Sequence, residues 1–346
     1  MIRKKLKLTA VLLLIAAMAA AVSGCGKEVK KLSVIPVDMP VPAYTNPLTG
    51  EADYSPSKLS KRPVAVVVEN HPQARPQWAI DTPDIIMEGE VEGGITRMLW
   101  LYADYSDVSS KVGPVRSARP SYVRFSRFFD AVYIHWGGSH SRAGYVGGYD
   151  TIAAEGVDDL DGMNGGSLFT RDYSSGRSSE HTGVLIGDRL ASTLKERGIR
   201  TTVNKSGATR FKFNSKVKNA GKTKADKVNV TLSSSTDTRT FTYNEKDKKY
   251  HTCDWETDVK FQNVVVLMDG TTYISAPYKG GYVSYLNYSF GGGTGYYASN
   301  GTIREIRWTV SDGKIKLTRK DGKTLRLNPG RSYIGLASSN HGGSVS

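Results

Sequence analysis

Cysteine is nearly absent: the 346 residues contain two, Cys25 and Cys253. A disulfide framework is therefore excluded, and so are the paired-cysteine zinc sites. No His-Glu-x-x-His stretch occurs among the six histidines, and no Gly-x-Ser-x-Gly elbow is present. Gly291-Gly292-Gly293-Thr294-Gly295 lacks the Lys-Ser/Thr that would follow in a phosphate loop. No basic recognition helix or finger motif points to nucleic acid. The longest apolar run, residues 8–22, is fifteen residues, about 22 Å as a helix against a hydrocarbon core of about 30 Å.

That short run is informative. Arg3, Lys4, Lys5 and Lys7 precede it, and Val22-Ser23-Gly24-Cys25 ends it. A basic start, a short apolar stretch and small residues before a cysteine make residues 1–24 a cleavable lipoprotein signal peptide. Cys25 is the expected lipid-attachment residue, its thiol taking a diacylglyceryl group with palmitate-type chains. Two or more acyl chains anchor a protein stably, where one binds only marginally. The expected location is the extracytoplasmic face of the cell membrane. Cys253, in the strand-like Tyr250-His251-Thr252-Cys253-Asp254-Trp255, reads as a small buried hydrophobe.

Charge divides the rest. Residues 25–190 carry 17 Lys and Arg against 21 Asp and Glu, and residues 191–346 carry 26 against 12. A basic second half suits anionic headgroups or an anionic envelope polymer, and equally suits simple solubility. Pro36, Pro40, Pro42, Pro47 and Pro56, with no apolar periodicity between them, make residues 25–60 a lipidated cysteine plus a Pro-rich linker.

Residues 62–70 (RPVAVVVEN) form a continuous apolar strand, and residues 84–90 and 96–103 read as two more. Residues 117–129 have Ser117 at an N-cap, Pro120 in the first turn and Tyr122, Phe125, Phe128 and Phe129 at helical spacing. A strand at 131–135, another at 181–186 and a helix at 189–197, capped by Asp188, continue the alternation. Beyond residue 200 short strands dominate, with Ser311-Asp312-Gly313 and Lys320-Asp321-Gly322 as hairpin turns. The expected fold class is α+β: a mixed α/β N-terminal domain at 61–200, then a mostly antiparallel, basic β domain at 201–346.

Four features carry chemistry. Glu88, Glu90 and Glu92 recur at a spacing of two, so a strand through all three aligns three carboxylates on one face; if it ends before Glu92, only two align. Cations such as Arg97, Arg116 and Arg119, a divalent metal, a ligand, or an acid-base role for Glu88 or Glu90 would each answer that repulsion. Gly113-Pro114-Val115-Arg116-Ser117-Ala118-Arg119-Pro120 brings two arginines to a helix start, facing either an internal carboxylate or an anionic ligand. His135-Trp136-Gly137-Gly138-Ser139-His140 leaves a strand where α/β sheets often build sites, with His135 as a hydrogen-bonded core residue or a general base. His71 and His181 complete the first-half histidines. Residues 271–301 hold seven tyrosines and seven glycines, suited to β packing or to stacking on sugars and peptides.

Several of these stretches together resemble the YerB-type family of lipoproteins from Gram-positive bacteria. They are Asn46-Pro47-Leu48-Thr49-Gly50, the Glu69-Asn70-His71-Pro72 to Arg75-Pro76-Gln77 turn, and Glu90-Val91-Glu92-Gly93-Gly94-Ile95-Thr96-Arg97. Residues 112–119, His135 with Gly137-Gly138-Ser139, residues 301–308 and Leu327-Asn328-Pro329-Gly330 complete the set. The resemblance implies an N-terminal family domain, a C-terminal β-rich one and membrane anchoring. It implies no activity. Trp136 departs from the smaller residue expected there, and would narrow a pocket or add a stacking surface.

The sequence thus describes a membrane-anchored, non-catalytic module of the cell envelope that binds a ligand or a protein partner. Glu90, Glu92, Arg97, Arg116, Arg119 and His135 are the candidate binding residues, and no cofactor, metal or nucleic acid is expected. The alternative is a cell-wall glycan or peptide hydrolase or transferase using Glu88 or Glu90 with His135. Replacing Cys25 with Ser should move the protein from the membrane to the soluble fraction and abolish fatty-acid labelling. A membrane-bound, labelled Cys25→Ser protein would refute the anchor.

Overall fold

The computed structural model describes residues 44–52 and 54–346. The signal peptide, Cys25 and the stretch to residue 43 lie outside the described residues. Val64–Glu69 (β1) is buried at every position, as its unbroken apolar run requires. Such a strand needs cover on both faces. It lies inside an 11-stranded sheet. From one edge the order is Lys314–Arg319, Thr302–Ser311, Gly293–Ser299, Asn263–Asp269, Ser332–Ser338, then Ile85–Glu90 (β2), Thr96–Tyr102 (β3), β1, Val132–His135 (β4) and Asp159–Asp161 (β5). Thr223–Lys224 adds to Thr302–Ser311 off this path.

Strands from both sides of residue 200 therefore hydrogen-bond in one sheet. The join is Ser332–Ser338, which runs parallel both to β2 and to Asn263–Asp269. The second half is not purely antiparallel, and the molecule is richer in strand than the sequence pattern suggests. The first half has few helices because most of its loops fold as single 3₁₀ turns. Among the described residues no helix is long and apolar enough to cross a membrane.

Period-two alternation assigns each face its own core. Val64, Val66, Val68, Ile86, Met98, Trp100 and Tyr333 face one way, onto Val228, Val230, Phe241, Trp255 and Phe261. Those belong to a second, five-stranded antiparallel sheet and its loops, built from Lys227–Thr231, Arg239–Asn244, Lys249–Thr252, Val259–Phe261 and Ser344–Val345. Ala65, Val67, Met87, Leu99, Leu101 and Leu336 face the other way, onto Tyr122, Phe125, Phe128 and Phe129. Tyr122 and Phe125 lie on the Pro120–Arg127 helix, whose Pro120 occupies the first turn, and Phe128 and Phe129 directly follow it. The Tyr122 hydroxyl sits 2.7 Å from the carbonyls of both Gly89 and Arg97. Gly89 leaves it room, since a Cβ there would crowd both Tyr122 and Tyr288 hydroxyls.

Several expectations are corrected. The linker ends early: Leu48 and Tyr54 join the core, and Asn46 Nδ2 donates to Asp84 at 2.8 Å. Ser117 is not the N-cap; the chain stays extended through Arg119, and Ser117 Oγ donates to the Trp136 carbonyl. Asp188 lies in a 3₁₀ turn and gives the Leu190–Glu196 helix no side-chain cap. Cys253 is exposed, because its strand stops at Thr252 and the next residue turns outward. Asp312-Gly313 does turn a hairpin, both residues having positive φ. Asp321-Gly322 makes a turn followed by a single bridge, Thr318 to Thr324.

One polar contact ties the two sheets together inside this apolar packing. Glu88, fully buried on β2, accepts from Arg239 of the smaller sheet at 3.0 Å. Asn70 Nδ2 at 2.8 Å, Thr96 Oγ1 at 2.6 Å and the Tyr333 hydroxyl at 3.0 Å complete its shell. Removing one partner of a buried pair strands the other charge, which costs about 3–5 kcal/mol. Glu88→Ala should therefore lower the urea and thermal unfolding midpoints markedly. A midpoint within a degree of wild type would show that the pair does not hold the layers.

Candidate functional site

The strand carrying the three glutamates ends at Glu90. Glu88 and Glu90 share the face of Ile86, toward the smaller sheet. Glu90 is buried and accepts from the Tyr273 hydroxyl at 2.9 Å. The chain then turns at Gly93 and Gly94, both of positive φ, with Val91 N–H donating to the Ile95 carbonyl. That turn sends Glu92 to the opposite side of the sheet.

There Glu92 meets the arginines. Arg119 grips it with two hydrogen bonds, Nε to Oε2 at 2.7 Å and Nη2 to Oε1. Arg97 Nη2 lies 3.8 Å from the same carboxylate and donates through Nη1 to the Ser117 carbonyl at 2.9 Å. Burial would raise the Glu92 pKa, but the Arg119 bonds and the Arg97 charge outweigh it and hold the carboxyl down at about 2. Burial, reinforced by the like charge of Arg119, lowers Arg97 to about 10. Arg116 pairs elsewhere: its Nε is 3.0 Å from Glu69 Oε1 and its Nη2 2.8 Å from Glu180. His181 Nδ1 contacts Glu69 Oε2 at 2.9 Å and stacks on His71. Glu92, Arg97 and Arg119 thus come together in one network, while Arg116 belongs to a second with Glu69, Glu180 and His181, members that short-range sequence spacing could not find.

His135 stands apart. It is fully buried, with Nδ1 2.7 Å from the Gly137 carbonyl and Nε2 3.0 Å from Asp159 Oδ2. Asp161 accepts from Gly137 N–H and the Tyr149 hydroxyl, both at 2.7 Å, so it fixes the loop after the histidine. Trp136 fills space over Gly162 and Gly183, packs edge-on to Phe169 and lies under Arg171. The pairing proposed for a hydrolase does not form. β4 is three strand spacings from β2, about 14 Å. His135 shares the face of Tyr133, whereas Glu88 and Glu90 point the opposite way. Acid-base partners must converge on one cleft. Among the described residues no group of three or more His, Cys, Asp or Glu could hold a metal ion.

Around the Glu92 turn the surface is aromatic. A hairpin, Thr271–Tyr278 with Gly281–Tyr288, reaches this turn through a Glu92 to Tyr285 bridge. Tyr285 stacks on Tyr145 with ring centroids 3.9 Å apart. Arg142 lies 5.0 Å over the Tyr278 ring. Ile95 and Val146, beside Glu92 and Tyr145, are exposed, as are Tyr278 at 41% and Tyr282 at 77%.

These two sheets and their shared join define a class of protein. Residues 48–200 match the family model described as "Protein of unknown function (DUF3048) N-terminal domain", and residues 226–334 match its C-terminal domain. The chain belongs to this family. It is 29% identical over 309 residues to "Putative lipoprotein YerB" of Bacillus subtilis (strain 168), covering 84% of this chain and 85% of that protein. Its fold is similar to the crystal structure of YerB protein from Bacillus subtilis, with a TM-score of 0.70 and 27% identity. That likeness covers 87% of this chain and 99% of that one.

A carboxylate with a depressed folded pKa contributes stability that is fully present above its unfolded pKa and lost as pH falls through the folded value. For Glu92 that window runs from about 4.5 down to about 2. Glu92→Gln should cost roughly 2–3 kcal/mol at neutral pH, and the deficit should shrink as pH falls through this window. Chemical denaturation at pH 7, 4 and 2.5 measures it. A deficit that ignores pH would mean the Arg119 pair contributes nothing through charge.

Proposed function

We propose that this chain is a lipid-anchored, extracytoplasmic binding protein of the cell envelope that works without catalysis, and that its partner is another protein. The relative's name and the signal sequence with Cys25 support the anchoring. The observation that carries the binding role is the surface around Glu92. There Tyr278 and Tyr282 are exposed on the hairpin that reaches the Glu92 turn through Tyr285, and Ile95 and Val146 are exposed in the turn and next to Tyr145 in the chain. Protein interfaces draw their binding energy from aromatic and arginine side chains of this kind, ringed by polar groups. The ion pairs hold the surface rather than meet the partner: Arg119 stiffens the turn, and Arg97 ties it to Ser117. Glu90, buried, supports it from within through the Tyr273 hydroxyl, and His135 serves the neighbouring loop.

A photoreactive phenylalanine analogue in place of Tyr282, introduced in intact cells, tests this. Illumination should give one discrete adduct that disappears when Arg119 is also changed to Ala, while the same probe at Thr309 gives none. A smear equal to that of the Thr309 control, or no adduct at all, would overturn the surface assignment.

A further inference from the structure

Half of the net positive charge of the second half lies along one groove that shares no residue with the tyrosine surface. Three recesses of about 410, 430 and 360 Å³ adjoin there. Arg304 lines all three, and Arg319 lines the first two. Nine Lys and Arg border the groove against two acidic residues, Glu305 and Asp321. Those two acids are already answered, by Lys320 at 2.9 Å and by one Arg319 nitrogen at 2.9 Å. The Nε atoms of Arg304 and Arg319 are buried without a hydrogen-bond partner. A desolvated guanidinium donor with no acceptor is costly unless a ligand supplies one.

We propose that this groove binds a linear phosphate-bearing polyanion. Guanidinium forks match tetrahedral phosphate oxygens better than lysine does, and two of them stand at neighbouring recesses. The recesses follow one another along a single segment, the first lined by residues 218–220, the second by 221–223 and the third from residue 223 on, which suits a chain with repeating charge more than a single anion. The third recess is floored by Tyr296, Ile303 and Val345, an apolar strip on which a glycerol or sugar backbone lies between phosphates. A bilayer is broad and flat and does not enter such a concave groove, so the occupant is the polymer and not the membrane surface.

The test uses the full-length lipidated protein in zwitterionic nanodiscs, titrated calorimetrically with inorganic polyphosphate, poly(glycerol phosphate) and, as a carboxylate control, polyglutamate. Both phosphate polymers should bind, polyglutamate at least tenfold more weakly, and affinity should fall steeply with added salt. R304Q/R319Q should weaken binding at least tenfold, whereas K246Q/K248Q, which removes the same charge from a hairpin outside the groove, should change it less than twofold. Thermal melting verifies each fold; should R304Q/R319Q unfold, K323Q at the exposed rim takes its place with an expected loss of about threefold. Equal losses in the groove and hairpin variants, equal affinity for polyglutamate, preferential association with phosphatidylglycerol vesicles, or no binding would each overturn the proposal.

Discussion

The architecture depends on one charge held away from water. Glu88 sits between two sheets, in a layer otherwise filled with valine, tryptophan and tyrosine, and a carboxylate there requires a complete set of donors. Arg239, Asn70, Thr96 and Tyr333 supply them, and they come from four separate parts of the chain. Apolar packing tolerates small slips of one sheet over another, because dispersion has no direction. A carboxylate held by directed contacts from four side chains does not. The register of the smaller sheet on the larger one is therefore set by this shell, and Glu92 lies two residues beyond the end of β2. The position of the outer network follows from the inner one.

The local elements were legible where a single pattern decides them. β1 follows from an apolar run no solvent-facing strand could carry, the Asp312-Gly313 turn from residues that accept positive φ, and the presence of the Pro120–Arg127 helix, though not its start, from aromatics at helical spacing. What could not be read was partnership across long separations. Glu88 and Arg239 are 151 positions apart. The aspartates that hold His135 are on a three-residue strand too short to show a period. The spacing of two among the glutamates was a true strand signal for Glu88 and Glu90, and the Gly93-Gly94 turn ended it before Glu92. Cys253 shows the same boundary effect, since one residue beyond a strand end reverses inside and outside.

The family relationship and the geometry bear on different questions. Kinship with a named lipoprotein supports residence at a membrane, while the description shared by the family leaves the role open. The site residues divide by depth. Glu88, Glu90 and His135 serve the interior, and Arg116, Glu92 and Arg119 lie closer to solvent among exposed side chains. Polar residues that look catalytic in a sequence are here mostly bonded to one another, a common use of charge inside a large sheet.

The Ser332–Ser338 strand has a consequence for how the chain must be made. It lies between β2 and Asn263–Asp269, yet it follows β2 by more than two hundred positions. A polypeptide is made from its amino end, so one side of β2 stays without its hydrogen-bond partner until nearly all of the chain has been made. An unpaired, flat, apolar strand edge recruits other strands. During synthesis the first half therefore has to be shielded, by slow collapse or by a folding helper, and shortening the chain by a few dozen residues would leave that edge permanently open.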